Sequence, residues 1–393
     1  MGPPSVLACI RARNGERKIS SALVKAEFHA VKILVREGKL QEYAVLTVPL
    51  IILQCLILFV QRTYGLEKYA TFGDGLEYIN LARVLLNDPV SVIVNLHPPM
   101  YPLAIRILGV LFRYEAASLL VNAIAHILSI IPIYESVKLT VASNHKKLAM
   151  MASVFPPATL TYAGIGLSDT LAIFLSSIFF YFLLKRDERG MIVAALLASL
   201  THQITYLLIV PLGCFYLRQN LRRLYRTFIP LLPVIILSLY RYLKGQGIGY
   251  YVIAHFTFAK VYWESLLFSF PFESLIGALM GRPIRAGGIN YPVTLFSVVQ
   301  VIFLLIIYLG GTILSWKNRD IEALSYSLPF IVFLAFYQVW FFIPRFLTFC
   351  FPLLISYGHL MGKRGVVLHL AVALSMASLI YSVYFLLCAF PFT

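Results

Sequence analysis

Ten apolar stretches follow one another along the chain, near 44–62, 116–137, 147–163, 169–184, 191–217, 227–243, 294–314, 323–341, 347–361 and 365–387. A helix needs about 20 predominantly apolar residues to cross a bilayer. In hydrocarbon every backbone amide must find its partner within the chain, so repeated spans of this kind select helices. Composition agrees: 60% of residues are apolar and 13% are charged, against about 45–50% and about 25% in soluble domains. Mean hydropathy is +0.82. That much apolar side chain does not fit one soluble core, and it excludes disordered, collagenous and disulfide-framework classes. The expected fold is an all-α polytopic membrane protein.

Charge orients the spans. Lys and Arg total 33 against 17 Asp and Glu, a net +16. With the N-terminus cytoplasmic, segments 1–42, 138–147, 185–190, 218–226, 315–322 and 361–365 lie inside and hold 22 of the 33 basic residues. Lys146-Lys147, Lys185-Arg186, Arg222-Arg223 and Lys363-Arg364 all fall on that side. Basic residues collect in cytoplasmic loops, which accounts for the charge without nucleic acid. Residues 1–43 form a basic amphipathic segment: Val24, Phe28, Val31 and Val35 recur at helical spacing beside Lys25, His29, Lys32, Arg36 and Lys39. Such a helix suits the surface of anionic lipid. No apolar region comes early enough for a signal peptide, and the lack of an ER signal favours a prokaryotic plasma membrane over the ER membrane. The cysteines, Cys9, Cys55, Cys214, Cys350 and Cys388, form no CxxC pair and read as packing residues.

Four regions follow: the basic segment 1–43; a transmembrane core 44–243 containing an outer loop 63–115; an aromatic outer loop 244–293; and C-terminal helices 294–393. Within the first outer loop, runs 75–87 and 100–113 are amphipathic and read as interfacial helices. Stretch 191–217 is short for two crossings and long for one. It carries Pro211 and a polar centre, Thr201-His202-Gln203. A broken pair of helices fits, because interrupted backbone survives in a membrane where it lines a cavity.

Acids near a bilayer are costly and point to function. Asp74 sits between Gly73 and Gly75, just ahead of a helix. A carboxylate there can act as a general base or simply cap the helix. His97 heads the stiff run His97-Pro98-Pro99-Met100-Tyr101-Pro102 and can bond a sugar or phosphate oxygen; a plain helix-entry turn is the alternative. Asp169 follows Gly164-Ile165-Gly166-Leu167-Ser168 at the outer end of a span, where Ser168 or Asp169 also fits a cap. Arg345, in Pro344-Arg345-Phe346, breaks the inside bias and suits a phosphate, or else anchors at the headgroups. Arg282 and Arg285, with Lys260, are further outer cations. His202 reads as a core histidine or a ligand-facing one. No HExxH, GxSxG, Walker or GxGxxG pattern occurs.

Taken in order, these blocks resemble the GT-C glycosyltransferases, membrane enzymes that use polyprenyl-phosphate sugars. Gly73-Asp74-Gly75-Leu76-Glu77-Tyr78 is similar to the family's first outer-loop acid. His97-Pro98-Pro99-Met100-Tyr101-Pro102-Leu103 is similar to its Pro-Pro-x-Tyr-Pro-Leu run. Phe155-Pro156-Pro157 through Asp169, Ala194 through His202, and Pro344-Arg345-Phe346 with Phe351-Pro352-Leu353 are similar to its later segments. The first block looks most like the protein O-mannosyltransferase and aminoarabinose-transferase branch; 155–211 looks equally like the GPI mannosyltransferase branch. The Trp-Asp of that branch is here Gly73-Asp74, and the double acid of other branches is missing.

The resemblance implies a GT-C-type bundle of about 10–11 transmembrane helices. It implies transfer of a mannose-like hexose or related sugar from an undecaprenyl- or dolichyl-phosphate carrier to a glycan, lipid or protein hydroxyl, with inversion. Asp74 would be the base, with Tyr78, His97, Asp169, His202, Arg345, Arg282 and Arg285 binding donor or acceptor. No metal or cofactor is expected, because the leaving group is a monophosphate. A lipid or solute transporter or flippase is the alternative from another class; it would show inverted repeats and mid-span charges, and neither is apparent.

Overall fold

The computed structural model describes residues 39–85, 87, 97–142, 144–154, 159–243, 273–280, 284–286, 289–291, 295–336 and 343–360. The basic segment around Phe28, Phe155-Pro156-Pro157, loop residues 244–272 with Lys260, Arg282 and the stretch 365–387 lie outside the described residues. The chain divides into two units, residues 1–50 and 51–393. The described part of the first, residues 39–50, is helical and belongs to α1 (Lys39–Tyr64).

The second unit continues through α2 (Leu66–Ala70), α3 (Gly75–Val84), α4 (Met100–Leu108) and α5 (Tyr114–Thr140). Then come α6 (His145–Val154), α7 (Thr159–Ala163), α8 (Asp169–Lys185) and α9 (Glu188–Ser199). A 3-10 segment, Gln203–Leu208, leads into α10 (Ile209–Gln219), and a second one, Leu221–Leu231, leads into α11 (Leu232–Leu243). After α12 (Glu273–Leu279), strands β1 (Ile284–Ala286) and β2 (Ile289–Tyr291) pair antiparallel, with Arg285 opposite Asn290. This small ribbon is the departure from helix among the described residues. The described residues close with α13 (Leu295–Lys317), α14 (Ile321–Phe336), α15 (Ile343–Leu347), a 3-10 turn, α16 (Phe351–Ile355) and a last 3-10 segment, Ser356–Leu360.

Among the described residues, Leu40–Tyr64 and Tyr114–Thr140 are long and apolar enough to cross a membrane, while Val301–Lys317 and Ile321–Phe336 are apolar but shorter. In stretch 147–163 helix is described over α6 and α7, and the described part of 347–361 alternates short α and 3-10 segments rather than forming one α-helix. Within the second unit, α1 leaves Ile52, Leu56 and Phe59 exposed, as a lipid-facing helix does. α5 instead packs against α8, α6 and α4. It buries Ser118, Asn122, His126, Ser129 and Ser136, and small residues such as Ala117 and Ala123 permit that close packing. Buried polar groups require partners, and His126 has them: Nδ1 lies 2.6 Å from Gln54 Nε2, and Nε2 lies 3.2 Å from the Ser153 carbonyl oxygen.

α8 runs from Asp169 to Lys185, about 25 Å at 1.5 Å per residue. Arg186 ends it in the left-handed region at φ 56°. Asp187 then caps α9, accepting from the amides of Arg189 at 3.1 Å and Gly190 at 3.2 Å. The broken pair expected at 191–217 is present: α9 stops at Ser199, Thr201 and His202 lie between helices, and α10 starts after the 3-10 turn.

Candidate active site

At the opposite end of α8 from Lys185, several of the sequence blocks converge. The loop 164–168 delivers Asp169. Two side-chain amides hold this loop by its carbonyls. Gln61 donates to the Gly164 carbonyl. Asn122 Nδ2 lies 2.5 Å from the Ile165 carbonyl and 2.8 Å from that of Leu167. Both amides come from apolar helices, α1 and α5, and both residues are buried. Gly166 and Gly75 close the arrangement by proximity rather than by special dihedrals. A Cβ on either would sit 2.1 Å from the Ala70 carbonyl oxygen. The Gly166 amide donates to the Tyr69 carbonyl at 3.0 Å. The loop before α8 and the turn before α3 are thereby pressed together.

Asp169, 1% exposed, meets Arg345 in a bidentate pair: Nε to Oδ1 at 2.6 Å and Nη2 to Oδ2 at 2.8 Å. His202 Nε2 lies 3.7 Å from Asp169 Oδ1 and 3.5 Å from Arg345 Nη2. The Arg345 guanidinium also sits 5.1 Å from the Tyr162 ring centroid, a cation–π contact. Planar two-point pairing fixes the guanidinium in both position and plane. Ser168 is the residue before α8, yet its hydroxyl makes no cap bond; it lies 3.0 Å from the Tyr78 hydroxyl instead.

Tyr78 is buried and packs edge-on against Tyr101, 5.0 Å between centroids, and against His97 at 4.8 Å. Burial raises the Tyr78 phenol above its ordinary range, and the nearby Asp74 charge raises it further. His97 Nε2 lies 2.7 Å from Glu77 Oε2, the carboxylate accepting. The Met100 amide donates to the Leu200 carbonyl at 2.9 Å, which joins the proline-rich run to the break after α9.

Asp74 stands at the head of α3. Gly73, at φ 53°, makes the turn in a conformation that glycine reaches at little cost. Asp74 itself is helical, φ −72° and ψ −2°, and makes no cap bond; a capping side chain normally departs from the β-region. The cap reading fails there for that reason. The carboxylate is exposed and has no hydrogen-bond or ion-pair partner among the described residues. Its charge acts on both Tyr78 and Arg345.

Asp74, Tyr78, His97, Asp169, His202 and Arg345 thus share one region, linked through Tyr78, Ser168 and the Asp169–Arg345 pair. Arg285 falls in β1, with its side chain outside the described residues. Gln61, Asn122, Tyr162 and Glu77 were not singled out by the sequence as site residues. Gln61 and Asn122 carried a usable signal, since an amide in an apolar span is rarely without purpose. Among the described residues no three His, Cys, Asp or Glu side chains group as metal ligands.

No family model and no curated protein sequence matches the chain. Its structure is similar to the crystal structure of ArnT from Cupriavidus metallidurans bound to undecaprenyl phosphate, with a TM-score of 0.52 at 14% identity. The match covers 81% of this chain and 60% of that one, so the chain spans about three fifths of the length of the solved structure. The two proteins share a helical membrane-protein fold.

Proposed function

We propose that this chain is an integral-membrane glycosyltransferase. It takes a hexose, mannose-like or related, from a polyprenyl-phosphate carrier and transfers it to an acceptor hydroxyl on the extracytoplasmic face. The fold shared with a protein crystallised with undecaprenyl phosphate supports the donor class. The ordered GT-C-like motifs support the same bundle of about 10–11 spans, with its N-terminus cytoplasmic in a plasma membrane. The Asp74 carboxylate, without a hydrogen-bond or ion-pair partner among the described residues and with its charge acting on Arg345, is the observation that carries the reading.

In this reaction the acceptor O–H attacks the anomeric carbon. Asp74 takes its proton as general base. The anomeric C–O bond breaks, and the carrier phosphate departs with the electron pair. Arg345 faces the charge that grows on that phosphate, and a cation already fixed in place avoids reorganisation at that moment. Two of its five N–H groups serve Asp169, which orients the guanidinium. His97, Tyr78 and His202 line the sugar and acceptor, with Arg282 and Arg285 as further outer cations. No metal takes part.

Purified chain in proteoliposomes, given labelled undecaprenyl- and dolichyl-phosphate hexoses and candidate hydroxyl acceptors, is expected to yield glycosylated acceptor with inverted anomeric configuration. Movement of lipid across the bilayer without any transfer, over the whole donor panel, would replace this reading with a flippase.

A further inference from the structure

The segment Leu221–Leu231 is a 3-10 helix. Residues three apart eclipse one another in such a helix, so it presents three rows. The row of Leu224, Thr227 and Pro230 turns inward, with Thr227 and Pro230 buried. The row of Arg223 and Arg226 is pinned to Glu188 at the start of α9: Arg223 Nη1 lies 2.6 Å from Oε2, and Arg226 Nη1 pairs with Oε1. The third row, Arg222, Tyr225 and Phe228, faces out. Tyr225 is 65% exposed and Phe228 56%. Because one row is buried and another is tied to an acid, the helix cannot roll to hide the third.

Two large aromatics and an arginine suit the boundary between headgroups and acyl chains. Further exposed apolar side chains flank the row, Leu217 and Leu221 before it and Ile235, Ile236 and Leu239 of α11 after it. The charge is one-sided: residues 185–226 carry seven Lys and Arg against two Asp and Glu. A basic polar edge beside an apolar face is what binds an anionic leaflet in plane.

We infer that Leu221–Leu231 lies in the plane of the membrane interface and docks its Arg222–Tyr225–Phe228 row on anionic phospholipid. The inference rests on the proposed reading of the chain as membrane-embedded with this end at the cytoplasmic leaflet. Glu188 acts through Arg223 and Arg226 to hold the row at its angle.

The test uses the full chain with Trp263, Trp316 and Trp340 replaced by phenylalanine and carrying Phe228→Trp, reconstituted in phosphatidylcholine vesicles with or without phosphatidylglycerol. Lipid brominated near the headgroup end of its acyl chains is expected to remove about half or more of the introduced indole's emission, as shallow insertion requires. The loss is expected to be larger with phosphatidylglycerol, and Arg222→Glu is expected to abolish that difference. Quenching by aqueous iodide instead would overturn the inference by placing the row in water. Quenching by neither would overturn it by placing a protein there. Equal quenching in both lipid mixtures would overturn the anionic preference. Sugar transfer by the unaltered chain is read in the same vesicles. Its absence alongside intact bromolipid quenching counts against the proposed function and leaves this inference standing.

Discussion

The residues of the site divide into those committed to partners and one, Asp74, with no side-chain partner among the described residues. Asp169 and Arg345 are committed to each other. Removing one partner of a buried pair leaves an uncompensated charge, at a cost of about 3–5 kcal/mol. Asp169→Asn is therefore expected to lower the melting temperature sharply, and Arg345→Lys to lose the two-point geometry that an ammonium cannot reproduce. A thermal melt of each variant checks this; unchanged melting would mean the pair contributes nothing to stability. Glu77 behaves differently. The His97 hydrogen bond holds its carboxyl below the ordinary 4.5. A depressed folded value means that stability is complete above the unfolded value and is lost as pH falls through the folded one. Wild type is expected to lose melting temperature below pH 4.5 more steeply than Glu77→Gln, though gently, since the Glu77 side chain is 62% exposed. Parallel slopes would remove His97 as the cause. Asp74, Asp169 and Arg345 were readable as candidates because a charge in a greasy outer loop stands out. Their pairing was not, because 176 positions separate Asp169 from Arg345 and only the packed fold brings them together.

At the level of elements, the loop before α8 is held more firmly than its sequence suggests. A run with Gly164 and Gly166 is conformationally permissive by its residues alone. Instead, carbonyls in it accept from buried amides on two helices, and Gly166 abuts the Ala70 carbonyl. A methyl there must displace backbone, and overpacking of this kind costs about 1–3 kcal/mol. Gly166→Ala is expected to destabilise by that amount and to slow transfer through misplacement of Ser168 and Asp169; a variant as stable and active as wild type would mean that the contact is slack. Asn122→Ala leaves the Leu167 carbonyl without its side-chain donor, while the Ile165 carbonyl keeps the Leu167 amide; the loss is about 1–3 kcal/mol for the buried group left unsatisfied, to be read as a lower melting temperature and a reduced kcat. The helices themselves were legible, since apolar runs of the right length leave few alternatives. The alternation of α and 3-10 turns over 343–360 and the 3-10 stretch before α11 were less so. Hydropathy reports burial in lipid or core and is blind to how each turn closes.

Over the whole second unit, the two ends of α8 differ in chemistry. Asp169 and the converging site occupy its start, while Lys185, Arg186 and the Glu188–Arg223–Arg226 cluster lie at its finish. The two clusters thus lie at opposite ends of one helix. The fold is shared with a protein crystallised with undecaprenyl phosphate, ArnT. In the proposed reaction the chemistry turns on one exposed carboxylate, Asp74. Transfer from a labelled polyprenyl-phosphate hexose should be measured for wild type and Asp74→Asn, purified side by side and matched in melting temperature. The loss of a general base predicts a fall in kcat of about 10²–10⁴-fold, with folding intact because Asp74 has no partner to lose among the described residues. A folded Asp74→Asn chain that transfers sugar at close to the wild-type rate would contradict the account.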